Sequence, residues 1–254
     1  MLRARVIPCL LLKGHGLVKT IRFQNPGYVG DPINAVRIFN DKEVDELVLL
    51  DIEASRLNRD PAYDQIRDIV DEAFMPVAYG GGLRDIEQVR RLVGLGVEKI
   101  IVNNAMLQSP ALVHAAAEIF GRQAVSVSIN VRRDWRGRPR VYDAAQRRDA
   151  SVSLQAHVLS ATAAGAGELF LNDVNRDGTG SGFDLDLIRE VASSVDVPVV
   201  ACGGAGTLEH LRAAVSAGAS GVAAGSMFVY VGKHRAVMIT YPEYKTLQSL
   251  FSRD

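Results

Sequence analysis

The sequence repeats itself. Residues 76–105 align without a gap on residues 198–227, an offset of 122. The pairs include Pro76/Pro198, Gly81/Gly203, Gly82/Gly204, Glu87/Glu209, Arg90/Arg212 and Gly96/Gly218. The same offset pairs Glu46 with Glu168, Leu47 with Leu169 and Asp51 with Asp173. A unit of this length is far longer than a solenoid repeat and implies two similar halves, about 1–122 and 123–254. A ligand held by one half then has a counterpart position in the other.

Strand-like apolar runs alternate with helical patterns: 5–11, 47–51, 75–79, 99–102, 124–130, 168–172, 197–202 and 221–224. Between two of these, Ile86, Val89, Leu92 and Val93 recur at helical spacing. Asp85 and Thr207 are placed to cap equivalent helices, and Ser109-Pro110 reads as a cap followed by a proline at the first helical position. Continuously apolar strands alternating with helices predict a parallel sheet covered on both faces. Eight such units with internal two-fold repetition point to a single closed (β/α)₈ barrel rather than an open doubly wound sheet.

Composition narrows the classes. Lys and Arg total 29 against 29 for Asp and Glu, so no global field draws nucleic acid or an acidic membrane. Apolar runs are strand-sized, too short to span a bilayer, and the amino terminus lacks the pattern of a signal peptide. Cys9 and Cys202 lie in apolar runs without metal-ligand spacing, which predicts buried, reduced thiols in a cytoplasmic protein. No metal or cofactor motif is expected.

Barrel sites lie at the carboxyl ends of the strands, where backbone amides after the seventh and eighth strands commonly hold phosphate. Those loops here carry Gly203-Gly204-Ala205-Gly206 and Gly225-Ser226, the latter opening a segment, 226–229, long enough for one helical turn. The repeat predicts an equivalent cradle at Gly80-Gly81-Gly82 and Asn103-Asn104, with Asp177-Gly178 edging the second. Two cradles across one mouth suit a ligand with two phosphates. Residues 131–149 hold seven arginines and Trp135, and read as a solvated hairpin in which one or two arginines attract the anion.

At Val6-Ile7-Pro8-Cys9, Asp45-Glu46-Leu47, Gly80-Gly81-Gly82, Arg176-Asp177-Gly178 and Ala201-Cys202-Gly203-Gly204-Ala205-Gly206 the chain resembles the cyclase subunit of imidazole glycerol phosphate synthase, over essentially its whole length. The resemblance implies a glutaminase subunit docked on the amino-terminal face and ammonia passing through the barrel to a phosphorylated substrate. It also implies a charged gate at Arg5, Glu46, Lys99 and Glu168. Those four positions equally suit a structural ion cluster that plugs the floor. Lys19 matches a substrate-contacting lysine of the family.

The departure lies in the acid–base pair. Leu11 and Asn130 stand where the family carries two catalytic aspartates. Neither transfers protons usefully near neutral pH, so Lys19 and Asn130 remain only as weak catalytic candidates. Asp51 and Asp173 fit structural roles as well as catalytic ones, and His15 reads as a solvated loop residue. The stretches 8–13 and 232–237 resemble a paralogue group linked to acetamidino modification of surface (lipopolysaccharide) sugars, which works with a glutaminase-like subunit and a separate sugar amidotransferase. Three functions stay open: an ammonia-conducting barrel for amidine formation, an authentic cyclase (a lyase of histidine biosynthesis), and a non-catalytic activator of a glutaminase.

Overall fold

The computed structural model describes residues 4–252. Eight parallel strands form the inner wall: β1 (Arg5–Lys13), β2 (Leu47–Asp51), β3 (Val77–Gly80), β4 (Lys99–Val102), β5 (Val125–Arg133), β6 (Glu168–Asp173), β7 (Val199–Cys202) and β8 (Gly221–Ala224). Each pairs with the next in chain order, and β8 pairs back onto β1, so the sheet closes. Outside lie α1 (Pro32–Asp41), α2 (Tyr63–Glu72), α3 (Ile86–Gly94), α4 (Ala111–Phe120), α5 (Leu154–Ala163), α6 (Leu185–Ala192), α7 (Leu208–Ser216) and α8 (Tyr244–Phe251). The fold is the predicted (β/α)₈ barrel. None of the helices among the described residues is long and apolar enough to cross a membrane.

The repeat survives in three dimensions. Shifting β3, α3 and β4 by 122 positions gives the bounds of β7, α7 and β8. The caps agree too: Asp85 sits at φ −142°, ψ 168° and Thr207 at φ −141°, ψ 166°, each accepting a backbone N–H three residues on. On α3 the expected stripe is the buried one, with Val89 and Leu92 inaccessible and Ile86 and Val93 packed beside them.

Several boundaries differ from the sequence pattern. Strands β3 and β7 start after Pro76 and Pro198, which have no N–H to give the ladder but accept through their carbonyls from Leu47 and Leu169. The Ser109 hydroxyl accepts from Ala111 N, and Pro110 itself is the cap residue, one position before the helix. Strand β1 runs on to Lys13 and joins an antiparallel hairpin, Gly16–Ile21 and Gln24–Gly30. Its turn holds Arg22 and Phe23 at φ 54° and 60°, a conformation usually given to Asn-Gly. Without that signal the segment reads as plain loop.

Two apolar clusters result. One fills the space between strands and helices. The other fills the barrel lumen and includes Ile7, Val48, Ala78, Ile101, Phe170, Val200 and Ala223. Stepping through the register pairs sorts the lumen into levels, as alternate strands do in such barrels. Above the floor come Ile7, Ala78, Ser126 and Val200, then Val48, Ile101, Phe170 and Ala223, then Cys9, Gly80, Ser128 and Cys202. Phe170 is the largest of these side chains and is 1% exposed. Replacing it by alanine empties the middle level. We expect Phe170→Ala to lose about 3–5 kcal/mol in urea unfolding, with the denaturant slope unchanged.

Candidate functional site

One cavity of about 600 Å³ opens at the carboxyl ends of the strands. Every residue expected to hold phosphate lines it: Gly82, Asn103, Asn104, Asp177, Gly178, Gly204, Ala205, Gly225 and Ser226. Lys19, Leu11 and Asn130 line it as well. His15 does not; it is exposed in a turn, and its carbonyl accepts from Gln65.

The two cradles match in backbone shape. Gly81 and Gly203 lie at φ 126° and 92°, Gly82 and Gly204 at φ 72° and 109°. Asn103 and Gly225 precede their short helical turns (Asn104–Gln108 and Ser226–Val229) at φ −125°, ψ −79° and φ −107°, ψ −73°. Glycine is required at Gly204, where a Cβ would sit 2.1 Å from Gly182 O. The asparagine side chains of the first cradle are turned into the protein, Asn103 Nδ2 donating to Ser128 O (2.6 Å) and Asn104 Nδ2 to Asp143 Oδ1 (2.9 Å). The Gly82 N–H also has a partner inside the protein, donating to Ser55 Oγ (3.1 Å).

The aspartates are occupied elsewhere. Asp51 Oδ1 accepts from the N–H groups of Glu53 and Ala54, and Asp173 Oδ1 accepts from those of Asn175 and Arg176, the same positions one repeat on. Both carboxylates fasten the loop that follows their strand, which is the structural alternative. Burial raises the Asp173 carboxyl above its usual range despite those bonds. Asp177 clasps the hairpin: Oδ2 accepts from Thr20 Oγ1 (2.7 Å) and Phe23 N (3.2 Å), and Asp177 O accepts from Arg22 N. Burial raises its carboxyl too, with the Thr20 bond opposing.

Lys19 is 5% exposed, and burial pushes its amine below the ordinary lysine value. Its Nζ donates to Cys9 O and fills the space beside Gly225, where a Cβ would come within 2.6 Å. The ends of β1 and β5 present a hydrocarbon at Leu11 and a neutral amide at Asn130, which lies opposite Asn172 across the β5–β6 ladder. The hairpin residues Arg22, Phe23 and Asn25 also line the cavity, and no sequence pattern pointed to them.

The arginine-rich segment is ordered by its own acids. Strand β5 returns through Pro139–Asp143 and Arg148–Asp149. Arg132 pairs with Asp149 (2.6 Å), Arg133 with Asp184 (2.6 Å) and Arg138 with Asp134 (2.9 Å). Of the seven arginines only Arg147 lines the cavity. Trp135 is 84% exposed, stacked under Arg136.

At the opposite end, Arg5, Glu46, Lys99 and Glu168 form one network. Arg5 bridges both carboxylates from one side, and Lys99 Nζ reaches Glu46 Oε1 (3.0 Å) and Glu168 Oε1 (3.1 Å) from the other. Burial opposes the Arg5 charge, but Glu168 and then Glu46 outweigh it and hold the guanidinium above its usual value.

Comparison with known proteins accounts for this arrangement. A family model described as "Histidine biosynthesis protein" matches residues 5–235. A Pseudomonas aeruginosa protein bearing the provisional name imidazole glycerol phosphate synthase subunit hisF2 is 50% identical over 252 residues, 97% of this chain and 99% of that one. A Vibrio vulnificus protein with the provisional name subunit hisF3 is 43% identical over 244 residues, 95% of this chain and 94% of its own. The imidazole glycerol phosphate synthase subunit HisF of Streptococcus mutans is 40% identical over 231 residues, 91% of this chain and 92% of its own. The chain belongs to the histidine biosynthesis family, among its HisF-type cyclase subunits.

Gly204 is a poor test position, because any side chain there strains the loop. Ser226 is better, since an acidic residue in the first turn of a helix is tolerated. We expect Ser226→Asp to weaken ribose 5-phosphate binding at least about tenfold in calorimetry, with an unchanged thermal midpoint. Equal affinity would remove the second cradle.

Proposed function

We propose that this barrel takes ammonia from a glutaminase-like subunit on its amino-terminal face and delivers it to a phosphorylated ligand in the cavity, without closing an imidazole ring. We further propose that the product is an amidine (acetamidino group) on a surface-polysaccharide sugar, made with a separate sugar amidotransferase. The carrying observation is the contrast between the two ends. The charged ring at the floor has all four members, while the ends of β1 and β5 offer Leu11 and Asn130.

The lumen suits ammonia rather than ammonium. Above the ring, two levels are apolar apart from Ser126, and an ion there would lose its hydration without a counter-charge. The ring itself has to part for any molecule to pass. Lys99 is the hinge favoured by its bonding, because Arg5 alone still joins Glu46 to Glu168 when the ammonium swings away. Once in the cavity, ammonia meets a ligand oriented by the cradles and by Lys19. A carbon already activated by another enzyme needs no acid–base pair from the barrel.

A cyclase needs proton transfers, each worth about 10²–10⁴ in rate. Incubation with the open-chain ribulosyl substrate and ammonium salt is therefore expected to give turnover at least about 10⁴-fold below ordinary enzyme rates. A rate of about 1 s⁻¹ or more would establish an authentic cyclase instead. Lys99→Ala separates a gate from a plug. With the co-purified glutaminase partner, product formed from glutamine is expected to fall while added ammonium salt restores it. An unchanged glutamine-dependent rate would leave the ring a structural cluster, and glutaminase stimulation with no product from any nitrogen source would favour a pure activator.

A further inference from the structure

The two cysteines of the chain meet inside the barrel. Cys9 lies on β1 and Cys202 ends β7, with β8 between those strands. Their level contains only Gly80 and Ser128 besides themselves, so no bulky side chain separates them. Both are reduced, 4% and 8% exposed, and both line the cavity.

Lys19 is the neighbouring cation, its Nζ on the carbonyl of Cys9 itself.

A disulfide does not suit this spacing. Adjacent strands lie about 4.8 Å apart, so two strands flanking a third are about 9 Å apart, whereas a disulfide needs Cα atoms within about 7 Å. A bridging ion suits it well. Two metal–sulfur bonds of about 2.3 Å hold the sulfurs about 4.6 Å apart, with both strands in place.

We propose that Cys9 and Cys202 form a two-coordinate site for a soft monovalent cation of the cuprous class, set across the throat where the lumen opens into the cavity. Ligand number selects this class. Among the described residues no group of three or more His, Cys, Asp or Glu side chains is placed to hold an ion, whereas zinc takes four ligands. Thiolates select cuprous copper by softness. Charge agrees: two thiolates and one monovalent ion carry a net negative charge, which the Lys19 ammonium offsets. Binding displaces the thiol protons to solvent, and the bound ion narrows the passage between lumen and cavity. The site stands whether or not ammonia uses that passage.

The test is an anaerobic titration of the reduced full chain with cuprous ion against bicinchoninate as a coloured competitor. We expect one ion per chain, protection of both thiols from alkylation, and a loss of at least about 100-fold in affinity for both Cys9→Ser and Cys202→Ser. Thermal midpoints report whether each variant is folded. Copper left wholly with the chelator, two ions per chain, or undiminished affinity in either folded variant would overturn the site. So would a mass loss of two hydrogens on treating the metal-free monomer with hydrogen peroxide, since that requires the strands to close to disulfide distance.

Discussion

Closure of the sheet, with β8 paired back onto β1, is the constraint on which the site depends. The pairs Arg5↔Gly221 to Pro8↔Ala224 join the two halves along one seam, and Ile100↔Val125 to Val102↔Val127 join them along the other. Once the sheet is closed, strand period decides which side chains face inward, and a slip of one residue would exchange lumen for shell. The inward set then reads upward as charged floor, apolar middle, thiol throat and amide rim. Lumen and cavity both follow from one hydrogen-bond register.

The internal repeat supplies the second constraint. Paired glycines at Gly81/Gly203 and Gly82/Gly204 turn the chain sharply after β3 and β7, with positive φ at all four. A Cβ on Gly81 or Gly203 would lie 2.5 Å from the carbonyl of Asp51 or Asp173. Those aspartates fasten the preceding loop in each half. Loop, glycine turn and carboxylate therefore form one mechanical unit, present twice, and it holds the two cradles at matching heights on opposite sides of the mouth.

Fold and cradles were legible in the sequence because both rest on local pattern. Apolar runs marked all eight strands, and the offset of 122 located the paired glycine turns at the cavity. What stayed hidden rests on contact between distant segments. The Arg22-Phe23 turn adopts positive φ without glycine or asparagine, so the hairpin over the cavity had no signature. The cysteines carry no motif spacing, because a strand lies between them in space and most of the chain lies between them in sequence. The arginines of 131–149 read as mostly solvated, with one or two facing an anion; Asp134, Asp149 and Asp184 pair three of them, and Arg147 lines the cavity. Charge counts along a chain do not reveal such pairing.

Three aspartates near the strand ends are tied into the fold. Asp51 and Asp173 accept backbone N–H groups, and releasing them would free the loops that shape the cradles. Asp177 joins Thr20 and Phe23, so its ionisation is linked to hairpin docking rather than to a ligand. Lys19 has its Nζ on a carbonyl and is depressed by burial. A carboxylate at position 11 or 130 would place a new charge in a cavity that Asn103, Asn172, both thiols and Lys19 also line. Desolvation would raise that carboxylate's pKa, and Lys19 would oppose the rise. The present rim avoids that conflict with hydrocarbon and amide.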